Sequence, residues 1–178
     1  MFNARMYLDF DDCINAKEPD HDDIQKFEIS IQDSLYLAET NYITFSPTVV
    51  NRLESFRNKY GVEVVWSTTW NESNHVLKLT DNLGGLEGGR VLPAKLHVEQ
   101  VPPKVWTAWK AEAIIADQNA DPLPYIWVDD KATSLWGEDV LAAVPAESLH
   151  VEPNHITGLT LADLDRMEEF LQNLFVRV

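Results

Sequence analysis

The sequence predicts an α/β fold, a three-layer sandwich in which a mostly parallel sheet lies between helices. Two observations carry this expectation. Short apolar strands alternate with amphipathic helices, an order that needs crossover connections and hence parallel strands. Three of the strands also stop abruptly in residues that carry chemistry: Asp9, Asp11 and Asp12; Ser67, Thr68 and Thr69; Asp129 and Asp130. In a parallel sheet all carboxyl ends lie on one edge, where open α/β sheets bind ligands.

The first strand is Met6 to Leu8, and the loop after it holds the three acids. A strand cannot bury three carboxylates, so they belong to its carboxyl end. Asp9 and Asp11 are two apart and can face one side. Taken alone, the trio is a metal site, an acid/base pair or a solvated acidic turn. Residues 15–23 read as an acidic surface loop. Phe27, Ile29 and Ile31 then alternate with polar neighbours as in a half-buried strand. With Leu35 to Leu37 and Tyr42 to Phe45 they predict a small antiparallel flap over about 16–45.

Ser46 and Pro47 open a helix as N-cap and first residue. Val49, Leu53, Phe56 and Tyr60 form its buried stripe, and Gly61 ends it. Val62 to Trp66 is a strand buried on both faces. Ser67 or Thr69 is expected to cap the next helix, which carries Val76, Leu79 and Leu83 and stops at Gly84-Gly85. Residues 88–98 read as a loop with one short strand. A helix follows from Lys104 to Asp117, with Trp106, Trp109 and Ala113 inward. Tyr125 to Val128 is the next strand. A short helix from Leu135 to Val144, a strand from Leu149 to Val151 and a last helix capped by Thr160 complete the chain, with Leu164, Met167, Leu171 and Leu174 inward. No linker, repeat or low-complexity stretch divides it, so 1–178 reads as a single domain.

Composition narrows the function. Acids outnumber bases 29 to 14, a formal charge of −15, which is not the footprint of a protein gripping long nucleic acid by its phosphates. Recognition of one nucleotide or a strand end stays open. No apolar run approaches the roughly 20 residues that span a membrane. Acids stand where a signal peptide needs an apolar core, so no secretion signal is read. The single cysteine, Cys13, excludes an internal disulfide, and a cytoplasmic location is expected. The five histidines show no ligand spacing. The six tryptophans read as core, with Trp70 the one placed to line a substrate pocket.

Four or five carboxylates around one cleft cannot all stay ionised without a cation. Oxygen ligands without His or Cys favour Mg²⁺, and Mg²⁺ in turn suggests a phosphate substrate. The Ser/Thr cluster is suited to donate to phosphoryl oxygens. A lysine from the 104–117 helix, Lys110 or its rival Lys104, is suited to neutralise the remaining charge.

These residues resemble the haloacid dehalogenase (HAD) superfamily, which has a Rossmann-like fold. Leu-Asp-Phe-Asp at 8–11 is similar to its first motif, and Val-Val-Trp-Ser-Thr-Thr-Trp at 64–70 to its second. The lysine matches the third motif, and Ile-Trp-Val-Asp-Asp at 126–130 the fourth, in the right order. The tryptophan-flanked motifs look especially like a small phage and bacterial branch of HAD domains, some associated with RNA repair.

The resemblance implies a Mg²⁺-dependent phosphatase acting on a phosphomonoester through a phosphoaspartyl intermediate. Asp9 would be the nucleophile and Asp11 the general acid/base. Asp9, the backbone carbonyl of Asp11, and Asp129 would hold the metal, with Asp130 assisting. Ser67, Thr68 and Thr69 would bind the phosphoryl group, and Lys110 would be the cation. A flap this small leaves the site open to a bulky substrate such as a nucleotide, a nucleic-acid end or a phosphoprotein, and the family resemblance favours the first two. Asp12 departs from the pattern, standing where the family usually has Gly. A binding module of the same fold with weak or no turnover is the alternative.

Overall fold

A computed structural model of the chain describes residues 2–31, 39–93 and 103–176. Seven strands and six helices are numbered here in chain order. Strands β1 (Ala4–Leu8), β4 (Val62–Trp66), β5 (Arg90–Val91), β6 (Tyr125–Val128) and β7 (Ser148–Val151) form one sheet in the order β5-β4-β1-β6-β7. Every pairing in it is parallel. Strands β2 (Gln25–Ile31) and β3 (Glu39–Phe45) form a separate antiparallel hairpin, the expected flap. The expected strand at Leu35 to Leu37 lies outside the described residues.

The helices cover both faces because the strands are apolar on both. Along β1, Ala4, Met6 and Leu8 enter one core and Tyr7 the other. Along β6, Ile126 and Val128 enter the first and Tyr125 and Trp127 the second. This is the period-2 alternation of a strand, here with apolar partners on either side. The first core is closed by α1 (Pro47–Tyr60) and α6 (Leu161–Val176), with Leu53, Phe56, Leu164 and Met167 fully buried. The second is closed by α4 (Ala108–Ala120) and α5 (Ala132–Ala143) through Ile114 and Val140. Burying each such side chain contributes about 1.5–3 kcal/mol, so the central sheet is the stable platform on which the loops stand.

The flap is anchored to that platform. Ile43 and Phe45 of β3 are buried in the first core, and Phe27 of β2 meets Phe45 edge to face at 5.8 Å. Ser46 caps α1 as expected, accepting from Val49 N, and Gly61 ends the helix at φ +65°. Asp23, from the loop before the flap, adds a second cap by accepting from Thr48 N at 2.8 Å. Thr160 and Asp163 cap α6 reciprocally.

Three expectations are corrected. The helix over 104–117 is two helices, α3 (Pro103–Trp106) and α4, broken at Thr107. Trp109 is buried and Ala113 half-buried, as an inner face requires; the side chain of Trp106 lies outside those described. The helix expected around Val76 to Leu83 is the short α2 (His75–Thr80), with Leu83 buried in the turn after it. The helix expected from Leu135 begins three residues earlier, at Ala132, because the Asp129 side chain caps it. Among the described residues no helix is long and apolar enough to cross a membrane.

Candidate active site

Register brings the loaded strand ends to one level. Leu8, the last residue of β1, pairs with Trp66 of β4 on one side and Val128 of β6 on the other. The next residues continue the ladder: Ser67 N donates to Leu8 O at 2.9 Å, and Asp9 N to Val128 O at 3.0 Å. Ser67, Asp9 and Asp129 therefore leave three adjacent strands side by side.

Lys110 reaches the same point from α4. Its Nζ donates to Asp9 Oδ2 at 2.5 Å and to Asp129 Oδ2 at 2.6 Å. The side chain is 2 % exposed. Burying an ammonium costs several kcal/mol unless charge and hydrogen bonds compensate it, and two carboxylates do so here. Burial works to lower its pKa, but Asp9 and Asp129 outweigh it and the net shift is upward. The break at Thr107 separates the two candidate lysines. Lys104, on α3, is exposed and lies 5.2 Å over the Trp136 ring, where a cation–π contact holds it. Of the two, Lys110 is the one in contact with the acids.

The remaining oxygens of the core acids are held by the backbone. Asp9 Oδ1 accepts from Phe10 N at 2.7 Å. Asp129 Oδ1 accepts from Lys131 N at 3.0 Å and Ala132 N at 2.5 Å, at the start of α5. Helix N-termini favour such a carboxylate. Burial, above all, raises the Asp9 carboxyl above its ordinary range, with Asp129 and Asp11 adding to it and Lys110 opposing. Burial also raises Asp130, against the pull of Lys131. The site thus concentrates negative charge faster than its lysine removes it.

That imbalance fits a divalent cation. Asp9, Asp129 and Asp130 each offer an oxygen, all within 4.8 Å of one another. Oxygens around an octahedral Mg²⁺ at about 2.1 Å lie up to about 4.2 Å apart, so a small closure would complete the set. Asp130 Oδ2 is inaccessible to solvent and lies 3.2 Å from Lys131 Nζ, with the Asp129 and Asp12 carboxylates also acting on it. Hard carboxylate donors without His or Cys suit Mg²⁺, Ca²⁺ or Mn²⁺ better than zinc.

The Asp11 carboxylate is directed elsewhere. Its Oδ1 accepts from Asn15 Nδ2 at 2.8 Å and its Oδ2 from the Trp70 indole N–H at 2.6 Å. Burial raises Asp11, and these two donors oppose the rise. Asn15 Oδ1 in turn accepts from Thr44 N of the flap at 2.9 Å. One amide thus links the flap strand to Asp11. Sequence reading missed Asn15, whose partners lie both near and far along the chain. It singled out Trp70 for a pocket, whereas the indole holds a carboxylate.

Ser67 and Thr68 are fully buried, and Thr69 is half-buried at the start of a 3-10 turn over Thr69–Asn74. The expected cap by Ser67 or Thr69 is corrected: Thr68 Oγ1 accepts from Trp70 N at 3.4 Å. Ser67 Oγ has no hydrogen-bond partner among the described residues. A buried hydroxyl left unpaired costs about 1–3 kcal/mol, so a phosphoryl oxygen is a fitting acceptor.

Asp12 takes the left-handed conformation, φ +57°, that explains glycine at this turn elsewhere. Its N–H donates to Asn15 O at 2.7 Å, and its carboxylate lies 3.7 Å from Lys131 Nζ. The extra acid is thereby shared with Asp130 through one lysine. Cys13 is buried, and burial raises its thiol well above the ordinary value, which suits a packing role and not a nucleophile.

Comparison with known proteins agrees with this geometry. The family described as the HAD domain in Swiss Army Knife RNA repair proteins matches residues 6–164. A comparison with curated proteins returned no significant match. The matched span runs from β1 to α6 and takes in all three loaded strand ends. The chain belongs to the family of HAD domains found in Swiss Army Knife RNA repair proteins.

Proposed function

We propose that the protein is a Mg²⁺-dependent phosphatase that hydrolyses a phosphomonoester of a nucleotide or nucleic-acid end through Asp9. The observation that carries the reading is the Lys110 ammonium held between Asp9 and Asp129 at the carboxyl edge of the sheet. HAD domains generally use Mg²⁺, and Asp9, Asp129 and Asp130, with the Asp11 carbonyl, are the residues that would hold it. The metal, when bound, offsets charge on the phosphoryl oxygens. An Asp9 oxygen attacks phosphorus while the bond to the leaving oxygen breaks, and Asp11 gives that oxygen its proton. Asp11 then takes a proton from water, whose oxygen attacks phosphorus and releases phosphate and the Asp9 carboxylate. Lys110 keeps Asp9 oriented and adds positive charge where the phosphoryl group sits. Ser67, Thr68 and Thr69 bind its oxygens.

The test is hydrolysis of p-nitrophenyl phosphate and a nucleotide panel with Mg²⁺, comparing wild type with Asp9→Asn. Turnover by wild type alone is the expected result. Activity that survives the substitution excludes the phosphoaspartyl route. Beryllium fluoride, a mimic of the phosphoenzyme, should raise the melting temperature of wild type in Mg²⁺ and leave Asp9→Asn unmoved. No turnover and no such shift would make the domain a binding module.

A further inference from the structure

Asp11 lines a cavity of about 440 Å³ on the flap side of the site, together with Asp12, Asn15, Lys17, Tyr42 and Thr44. The volume is that of a small-molecule pocket. The alternation of β3 determines which side chains reach it. Ile43 and Phe45 are buried in the core, so Tyr42 and Thr44 face the other way. Tyr42 is 72 % exposed, the most exposed of the large hydrophobic side chains among the described residues. The other flap aromatics among the described residues, Phe27 and Phe45, pack against each other and the core. A ring left in water on the same hairpin contributes little to folding.

We propose that this cavity holds the nucleoside bearing the phosphate, with its base stacked on Tyr42. The inference rests on the phosphatase reading of Asp9 and Asp11. An acid must lie within about 2.6–3.2 Å of the leaving oxygen, so whatever that oxygen belongs to extends away from Asp11. The cavity lined by Asp11 is where it goes. An aromatic face accepts any base, because every base has a π face. The Thr44 hydroxyl and the Asn15 amide supply polar contacts suited to a sugar. Lys17 is exposed at the cavity, and Lys26, also exposed, stands directly across from Thr44 in the flap register. These cations set two positive charges beside Asp11, Asp12 and Glu28, which lessens the local repulsion of a nucleotide by a chain of net charge −15. Glu28, across from Tyr42, sets an acceptor beside the ring, suited to an exocyclic amine.

The shared chemistry is a terminal nucleoside, offered by a free mononucleotide or by the end of an RNA strand. The test is calorimetric titration of Asp9→Asn, which lacks the nucleophile, with 5′-AMP, 3′-AMP, ribose 5-phosphate, inorganic phosphate and phosphoserine. Wild type in EDTA serves as a second preparation. The better AMP should bind about ten-fold tighter than ribose 5-phosphate, the size of one base–aromatic stack. Adding Tyr42→Ala should erase that difference, Tyr42→Phe should keep it, and both should leave inorganic phosphate binding unchanged. A 5′-phosphorylated tetraribonucleotide that binds tighter than AMP assigns the strand end, and equal affinity assigns the mononucleotide.

Equal binding of AMP and ribose 5-phosphate, or a difference that survives Tyr42→Ala, overturns the proposal. So does phosphoserine binding tightest. Turnover is read separately on wild type. Tyr42-dependent nucleotide binding without turnover would sink the phosphatase reading and leave the pocket. Turnover with no dependence on Tyr42 would do the reverse.

Discussion

Strand β1 carries charge at both ends, and the two ends are built on different principles. At its start, Arg5 and Arg90 face Glu63, Asp117 and Asp121. Tyr7 donates to Asp117 at 2.7 Å and receives a bond from Gln118 at 3.0 Å. At its end, Lys110 faces Asp9 and Asp129, with Asp11 and Asp130 close by. Burial works to raise the acids in both places. The two guanidiniums reverse it at the start and hold Glu63 and Asp117 below their ordinary values. One ammonium does not reverse it at the end, and Asp9, Asp11 and Asp130 stay raised. At the start two guanidiniums meet three carboxylates and nearly balance them within the chain. At the end one ammonium meets four carboxylates, and a divalent cation would offset most of the remaining charge.

The sharpest way to separate the two ends is Asp9→Asn. Phosphatase turnover should fall about a thousand-fold or more, as for loss of a nucleophile. The melting temperature without metal should hold or rise, because one of the crowded carboxylates is gone. A large loss of stability would mean that the acids balance the fold after all. The opposite substitution is Arg5→Met, whose side chain is 6 % exposed. Breaking that buried network should cost about 3 kcal/mol in denaturant unfolding and leave kcat near wild type.

Metal and pH test the imbalance next. Mg²⁺ at about a hundred times its Kd should add about 2.7 kcal/mol to folding stability. The signs of the two ends are opposed. Glu63 and Asp117, depressed in the folded state, give stability that is present above the unfolded values near about 4 and lost as pH falls below them. Asp9, Asp11 and Asp130, raised in the folded state, favour folding below about 4, and that contribution is lost as pH climbs through their folded values. Thermal melts from pH 3 to 8 in EDTA should therefore peak between these limits. Mg²⁺ should stabilise most at the alkaline end. A Mg²⁺ effect independent of pH would contradict the raised carboxyls. The smallest effect belongs to Trp70→Phe, which removes one hydrogen bond to a charged oxygen. It should lower kcat about ten-fold with little change in melting temperature, and Trp70→His should recover part of the loss.

The legible and illegible parts of the molecule differ in range. The acids at 9, 129 and 130 could be read because each interrupts an apolar run, and burial forbids such a charge inside a strand. The alternation of β2 was equally visible, since Phe27, Ile29 and Ile31 repeat every second residue. The break at Thr107 was not, because no Pro or Gly marks it and Ala108 and Lys110 just beyond it are good helix formers. Without that break the two lysines looked like rivals on one helix. The ties from Asp11 to Trp70 and from Asn15 to Thr44 join residues 59 and 29 positions apart. Only the folded register brings such partners together, and nothing in a local pattern announces them.

Beneath the acidic loop lies a floor with no chemistry of its own. Gly158 sits at φ +67°, where a Cβ would fall 2.6 Å from Cys13 O and 2.9 Å from Ala16 Cβ. The next residue, Leu159, donates its N–H to the same Cys13 oxygen at 2.9 Å. Neither contact atom is the free end of a flexible side chain, so a side chain here would push the loop that carries Asp9 and Asp11. In terms of mutational tolerance, Gly158 should behave like a member of the site although it touches no substrate. A saturation scan scored on activity would find it as intolerant as the aspartates, and one scored on surface chemistry would pass it by.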